Sequence, residues 1–228
     1  MRKLILASLV LALTIPATSA DARQPQGPRL SANPSAAIAA ELAFARLAQD
    51  KGQWTAFRAT ATEDAVMFAP QMVRAKDWLK GRADPPVAVR WQPHQVWSSC
   101  DGSLAITQGA WQRPNNTVGY FTTVWQRQRD GGYKWVFDHG DVLATPQEAP
   151  EMISAKVATC PPRRPGSLAR PAQVTPFDAA ARNGRSDDGT LTWEVTAQPD
   201  GAHNFSAEMT VDGKPAQVVI EQVSAPGN

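Results

Sequence analysis

The order of apolar and polar positions divides the chain into four stretches. Leu4 to Ile15 is a mainly apolar, uncharged stretch of twelve residues, led by Arg2 and Lys3 and followed by the small residues PATSADA. A positive start, a short apolar run and small residues form the order of an export leader, and twelve residues are too few to span a ~30 Å hydrocarbon core. The reading is therefore a signal peptide over 1–20, cut after Ala20 or Ala22, then an exposed, Pro- and Gln-rich lead-in over 21–34. It implies a protein exported to the periplasm or the medium, with no membrane anchor in the mature chain.

From Ser35 the pattern is helical. Ile38, Leu42 and Ala45 share one side, Phe44, Leu47 and Ala48 another, and Glu41, Arg46 and Asp50 supply polar positions before Gly52. Apolar groups on two sides predict a helix over 35–50 covered from more than one direction. Trp54–Thr60 reads as a second short helix, AVMFAP from Ala65 as an extended piece, and Val73–Lys80 as a third helix ended by Gly81.

From Val87 the period falls to two. Four runs rich in Val, Thr and aromatics (VAVRWQPHQVWSS, SLAITQGAWQR, VGYFTTVWQRQ, YKWVFDHGDV) are divided by Cys100-Asp101-Gly102, Pro114-Asn115-Asn116 and Asp130-Gly131-Gly132. Gly and Asn tolerate the positive φ of tight turns, so the pattern predicts an antiparallel meander. Strict alternation puts Tyr133, Trp135, Phe137 and His139 on one face. Helices followed by such a sheet give the α+β class, with helices over one face. Residues 144–188 hold a short helical segment at Glu148–Ala158 and then a Pro-rich connection. Within 189–228, TLTWEVTAQ, HNFSAEMTV and AQVVIEQV predict a small three-stranded β meander that packs against the main domain.

Composition sharpens this picture in two ways. The 228 residues are 43% hydrophobic and 19% charged, which excludes collagen-like, wholly disordered and multi-span membrane classes. The formal charge is +2, but two of the 23 basic residues, Arg2 and Lys3, belong to the leader; the remainder balances at 21 basic and 21 acidic. Nothing in that balance calls for an anionic partner, and the small basic patch of Arg127, Arg129 and Lys134 lacks the breadth of a nucleic-acid surface. Two cysteines, Cys100 and Cys160, stand in a chain read as exported, where an oxidising compartment permits a disulfide; two unrelated thiols are the alternative.

The first helix, GQWTAF, DAVMFAP, DWLKGR and the closing TVWQRQRDGGYKWVFDHGD together resemble the SnoaL-like branch of the nuclear transport factor 2-like superfamily, in a subgroup of unknown function. The resemblance covers 35–143, about half the chain. It implies a cone: a curved antiparallel sheet wrapped over N-terminal helices, with a pocket at the wide end. It also implies a choice of roles, since the superfamily holds ketosteroid isomerases, dehydratases and polyketide cyclases beside non-catalytic binders and homodimers that pair through the open face of the sheet.

The candidate chemistry is sparse. Asp138 beside His139, with Asp141, could form an acid/base pair, but neighbouring strand residues point to opposite faces, so both reach one cavity only across a bulge. The alternative is a structural His139 with solvated carboxylates. Asp64 and Asp77 are further acids, Asp64 equally suited to a turn. An isomerase site needs an oxyanion donor, yet the first helix has Phe44 and no Tyr, and the two tyrosines, Tyr120 and Tyr133, lie in strands. Of eight Trp, most are expected in the core, while Trp54, Phe57, Phe68, Trp91 and Trp135 are candidates to line a pocket for an apolar or flat ligand. His94, His139 and His203 lack ligand spacing, so no metal or other cofactor is expected. The leading expectation is an exported, non-catalytic or at most weakly catalytic cone-fold protein that binds a small apolar molecule. Its rivals are an isomerase, dehydratase or cyclase using His139 and a nearby Asp, and an interaction module, for instance a homodimer.

Overall fold

The computed structural model describes residues 32–161 and 173–226. The leader over 1–20 and most of the lead-in lie outside the described residues, as does the middle of the Pro-rich stretch. The first helix, α1 (Pro34–Lys51), has proline in its first turn, where a missing N–H costs nothing, and ends at Gly52 with φ +106°. Glycine is needed there because that φ strains any residue with a Cβ. The chain then turns directly into α2 (Gln53–Thr60), β1 (Ala61–Phe68), β2 (Met72–Arg74) and α3 (Ala75–Leu79).

The meander follows as β3 (Arg90–Ser98), β4 (Leu104–Gln112), β5 (Val118–Arg127) and β6 (Tyr133–Leu143), all antiparallel. With β7 (Ser154–Val157) it makes a seven-stranded sheet in the order β2-β1-β6-β5-β4-β3-β7, whose outer joins, β1 to β6 and β3 to β7, are parallel. The helix expected over Glu148–Ala158 does not form. Its residues instead extend the free edge of β3, pairing Gln95 with Ser154 through Ser98 with Val157, and Ala158 N–H continues the run to the Ser98 carbonyl at 2.9 Å. An open sheet edge offers backbone partners that outweigh a weak helical preference.

The C-terminal meander is larger than its apolar alternation suggests. Five strands, β8 (Gln173–Val174), β9 (Ala181–Arg185), β10 (Leu191–Ala197), β11 (His203–Val211) and β12 (Lys214–Val223), pair in the order β12-β11-β10-β9-β8. β9 was hidden because it reads ARNGR, and the residues it turns inward are Arg182 and Gly184 rather than apolar side chains. The stretch 144–188, read as a connection, therefore contributes three strands.

The seven-stranded sheet is covered on both faces. Phe44, Ala48, Ala56 and Leu79 from the helices pack on Met67, Val96, Ala105, Trp125 and Trp135. On the opposite face Val66, Trp97, Leu104, Ile106, Val124 and Phe137 pack on Leu191, Trp193, Val195, Phe205 and Met209 of the second sheet. The chain's own C-terminal sheet thus occupies the face of the main sheet opposite the helices.

One residue sets which groups see which side. Val124 pairs with Phe137 and Trp125 with Trp135, so Val136 is an extra residue in β6. This bulge overturns the expected alternation: Trp135 and Asp138 turn to the helices, whereas Phe137 and His139 turn to the second sheet.

Two turns fasten the layers. Ser99-Cys100-Asp101-Gly102-Ser103-Leu104 joins β3 to β4, and Ser186-Asp187-Asp188-Gly189-Thr190-Leu191 joins β9 to β10. Both read S-x-D-G-[ST]-L, with Gly102 at φ +70° and Gly189 at φ +72°. They meet reciprocally: Asp101 N–H donates to Asp188 Oδ2 at 2.9 Å, and Asp188 N–H to Asp101 Oδ2 at 3.0 Å. Cys100 N–H likewise donates to Thr190 Oγ1, and Asp187 N–H to Ser103 Oγ. Cys100 also forms a disulfide with Cys160, resolving the open choice in favour of the bridge.

Closing a loop of this length restricts the unfolded chain by about 4 kcal/mol in the chain-entropy model. The double substitution Cys100→Ser/Cys160→Ser should lower the denaturation midpoint by up to that free energy. Reductant should shift the unmutated protein in the same direction and leave the variant where it is, as read by urea titration.

Candidate functional site

A cavity of about 230 Å³ lies between the helices and the sheet. Its walls are aromatic: Phe44 from α1, Trp54 and Phe57 from α2, Trp78 from α3, Trp91 from β3, Trp111 from β4 and Phe121 from β5. The rings meet edge-on, with Phe44–Trp91 centroids at 4.8 Å, Trp54–Trp78 at 5.1 Å and Trp54–Phe57 at 5.5 Å. Such packing fixes the ring planes and leaves flat faces for a ligand. Four of the five aromatic candidates, Trp54, Phe57, Phe68 and Trp91, line the cavity. Phe68 does so from its edge, because its ring stacks on His203 at 3.5 Å. Trp135 does not line it; the indole is fully buried behind Phe57 and donates to Thr60 Oγ1.

Among the lining residues, Asp138 places a carboxyl on the helix side of the sheet. Thr123 Oγ1, directly across on β5, donates to its Oδ2 at 2.7 Å. Burial raises its pKa to about 7; the Thr123 hydrogen bond opposes this and the charge of Glu41 adds to it. The group therefore changes charge near neutrality, where an ordinary carboxyl is wholly ionised.

Glu41, one of the polar positions of the first helix, is fully buried. Trp91 Nε1–H donates to its Oε1 at 2.7 Å, while Thr107 Oγ1–H and Trp125 Nε1–H donate to its Oε2 at 2.6 and 2.9 Å. Burial pushes its pKa up against these three hydrogen bonds. The carboxyl locks the indole that forms one wall of the cavity. A sequence signal did exist: indole N–H groups taken into a core need acceptors, and a chain with many tryptophans must bury some.

His139 borders the cavity beside Asp138, but its imidazole turns away from it. Its side chain sits between the sheets, with Nδ1 3.0 Å from His203 Nε2 and Nε2 2.7 Å from Glu221 Oε2. Gln108 Nε2–H and Thr122 Oγ1–H donate to Glu221 Oε1. The tautomers follow from the acceptors. His203 Nδ1 faces the Gly201 carbonyl at 2.9 Å and must donate, which leaves its Nε2 to accept from His139 Nδ1–H. His139 Nε2 is left facing Glu221 Oε2, the next link of the chain. Burial alone would raise the Glu221 pKa, but the hydrogen bond and charge of His139, with Thr122 and Gln108, hold it below the ordinary value. Burial, then the charges of Glu221 and Asp141, push the Tyr120 phenol up.

The remaining candidates are elsewhere. Asp64 is partly exposed and accepts from Arg182 Nη2 at 2.9 Å, tying β1 to the second sheet. Asp77 lies on α3 beside Trp78, and Asp141 accepts from Val142 N–H. Among the described residues, no group of three or more His, Cys, Asp or Glu side chains is arranged to hold a metal ion, and no helix is long and apolar enough to cross a membrane.

No protein-family model matches the chain, and no curated protein is similar to it. Among solved structures, a candidate ketosteroid isomerase from Parabacteroides distasonis is 15% identical, over 51% of this chain and 98% of its own, with TM-score 0.38. A protein of unknown function with a cystatin-like fold from Methylobium petroleophilum is 13% identical, over 52% and 82%, with TM-score 0.37. A candidate aromatic ring hydroxylase from Novosphingobium aromaticivorans is 14% identical, over 50% and 90%, with TM-score 0.36.

The interface cluster makes a pH prediction. Burial lowers the His203 pKa from its ordinary 6.5 to about 4, against the Gly201 hydrogen bond. Above pH 6.5 the folded and unfolded states are both neutral at this residue and stability is full. Between 6.5 and 4 only the unfolded state takes the proton, so stability falls with pH; below 4 both are charged and the loss levels off. His203→Gln, which keeps an acceptor and a donor, should flatten the decline in melting temperature between pH 6.5 and 4. An unchanged slope would remove His203 as its source.

Proposed function

We propose that this chain is an exported small-molecule-binding protein whose aromatic cavity takes a flat, apolar molecule and presents Asp138 as the polar contact. The observation that carries this reading is a cavity walled mainly by aromatic rings with the Asp138 carboxyl in its lining, a group whose pKa burial raises to about 7. Stacking on fixed rings supplies affinity, and one hydrogen-bonding group supplies orientation. The protonated carboxyl donates to a ligand carbonyl or ether oxygen, whereas the ionised form accepts from a phenol. Export is supported by the leader pattern and by the disulfide, which persists in an oxidising compartment.

A second reading, an isomerase, dehydratase or cyclase, is favoured by the same pKa, since a general acid or base works best near ambient pH. It rests on Asp138 alone, because His139 is engaged on the far face of the sheet.

A thermal-shift screen with small aromatic ketones and phenols tests binding. Ligands should raise the melting temperature by mass action, and no shift across such a library would overturn the proposal. Trp54→Ala should weaken a hit by roughly 2- to 12-fold, the loss of one aromatic contact at ~0.5–1.5 kcal/mol. A ketone should bind with constant affinity below pH 7 and about tenfold more weakly per pH unit well above it, because the donor proton leaves. Asp138→Asn, which keeps a donor at every pH, should abolish that dependence.

A further inference from the structure

We infer that the ligand is a one- or two-ring aromatic acid, whose carboxylate is received by Arg113 while its ring system stacks in the cavity. The inference rests on the cavity-binding proposal and adds ligand size and charge to it.

Size comes from the volume. At about 230 Å³ the cavity falls below the ~300–1,000 Å³ of sites that enclose drug-sized ligands. Its walls cannot readily retreat, because Trp91 is held by Glu41 and the Trp111 indole N–H donates to the Tyr120 carbonyl at 2.7 Å. Two fused rings suit such a space, and four do not.

Charge comes from Arg113. Among the described residues that line the cavity it is the one arginine or lysine, and its guanidinium stands 4.9 Å from the centre of the Trp111 ring. The side chain is exposed and its guanidinium makes no salt bridge or hydrogen bond among the described residues, while its backbone bonds Thr117 and Asn116. The acid on α2's side, Asp84, is already taken up by Thr55 and Arg58. A guanidinium fixed over an indole, its donors uncommitted, presents a planar fork that matches a carboxylate. Asp138 would repel a second carboxylate when ionised, so a ligand with one acid group enters with that group toward Arg113 and a neutral or phenolic end toward Asp138.

The test compares 6-hydroxy-2-naphthoate with 2-naphthol, which lacks only the carboxylate, by quenching of tryptophan emission at pH 6. The naphthoate should bind five- to tenfold more tightly, and the advantage should shrink as salt rises. Arg113→Gln should erase the advantage, weakening the naphthoate five- to tenfold more than it weakens 2-naphthol. 1-Pyrenecarboxylate, with four rings, should fail to compete. If 2-naphthol binds as well as the naphthoate, or Arg113→Gln weakens both equally, the assignment to Arg113 is overturned while binding in the cavity stands. Tight binding of the pyrene acid overturns the size limit, and quenching by neither naphthalene overturns the inference together with the reading beneath it.

Discussion

The structure depends on a sheet that is buried on both faces. A sheet with one wet face can alternate apolar and polar residues, but here both faces of the central strands favour side chains that are apolar or paired. β4 and β5 show the result. Leu104, Ile106 and Val124 serve the second sheet, Ala105 and Trp125 serve the helices, and the polar residues among them are all engaged. Thr107 bonds Glu41, Thr123 bonds Asp138, and Gln108 with Thr122 bonds Glu221. Each buried acid is thus bound by a strand residue opposite it, and the two faces carry different chemistry: a cavity with a titrating carboxyl on one, a closed chain of imidazoles and a carboxylate on the other.

Much of the architecture was legible because it rests on local signals. Pro34 and Gly52 bracket the first helix, Gly- and Asn-bearing turns separate the strands, and period-two alternation marks β3 to β6 and β10 to β12. What stayed hidden depended on partners distant in sequence. β7 has no strand pattern of its own and forms because β3 leaves an edge beside it. β9 turns an arginine and a glycine inward, so alternation could not reveal it. The bulge at Val136 leaves no mark in YKWVFDHGD, yet it decides that Trp135 and Phe137 part company.

The candidate site was legible in the same uneven way. Residue type alone pointed to Trp54, Phe57 and Trp91, whereas alternation assigns the cavity side to the His139 imidazole and the bulge gives it to the Asp138 carboxyl instead. Their separate partners were not foreseeable, since Glu221 and His203 come from strands eighty and sixty residues further on. The burial of Glu41 was not legible, because a helix with apolar groups on two sides gives little guidance about which way its polar positions face.

The paired turns at 99–104 and 186–191 carry a consequence for how the molecule comes apart. Each satisfies the other's backbone, carboxylate for amide in both directions, so neither can open without stranding buried polar groups on its twin. The Cys100 disulfide pins one of them to the strand edge, and the shared apolar layer runs continuously behind both. The two sheets accordingly belong to a single cooperative unit, which melts in one transition rather than as a domain and an appendage.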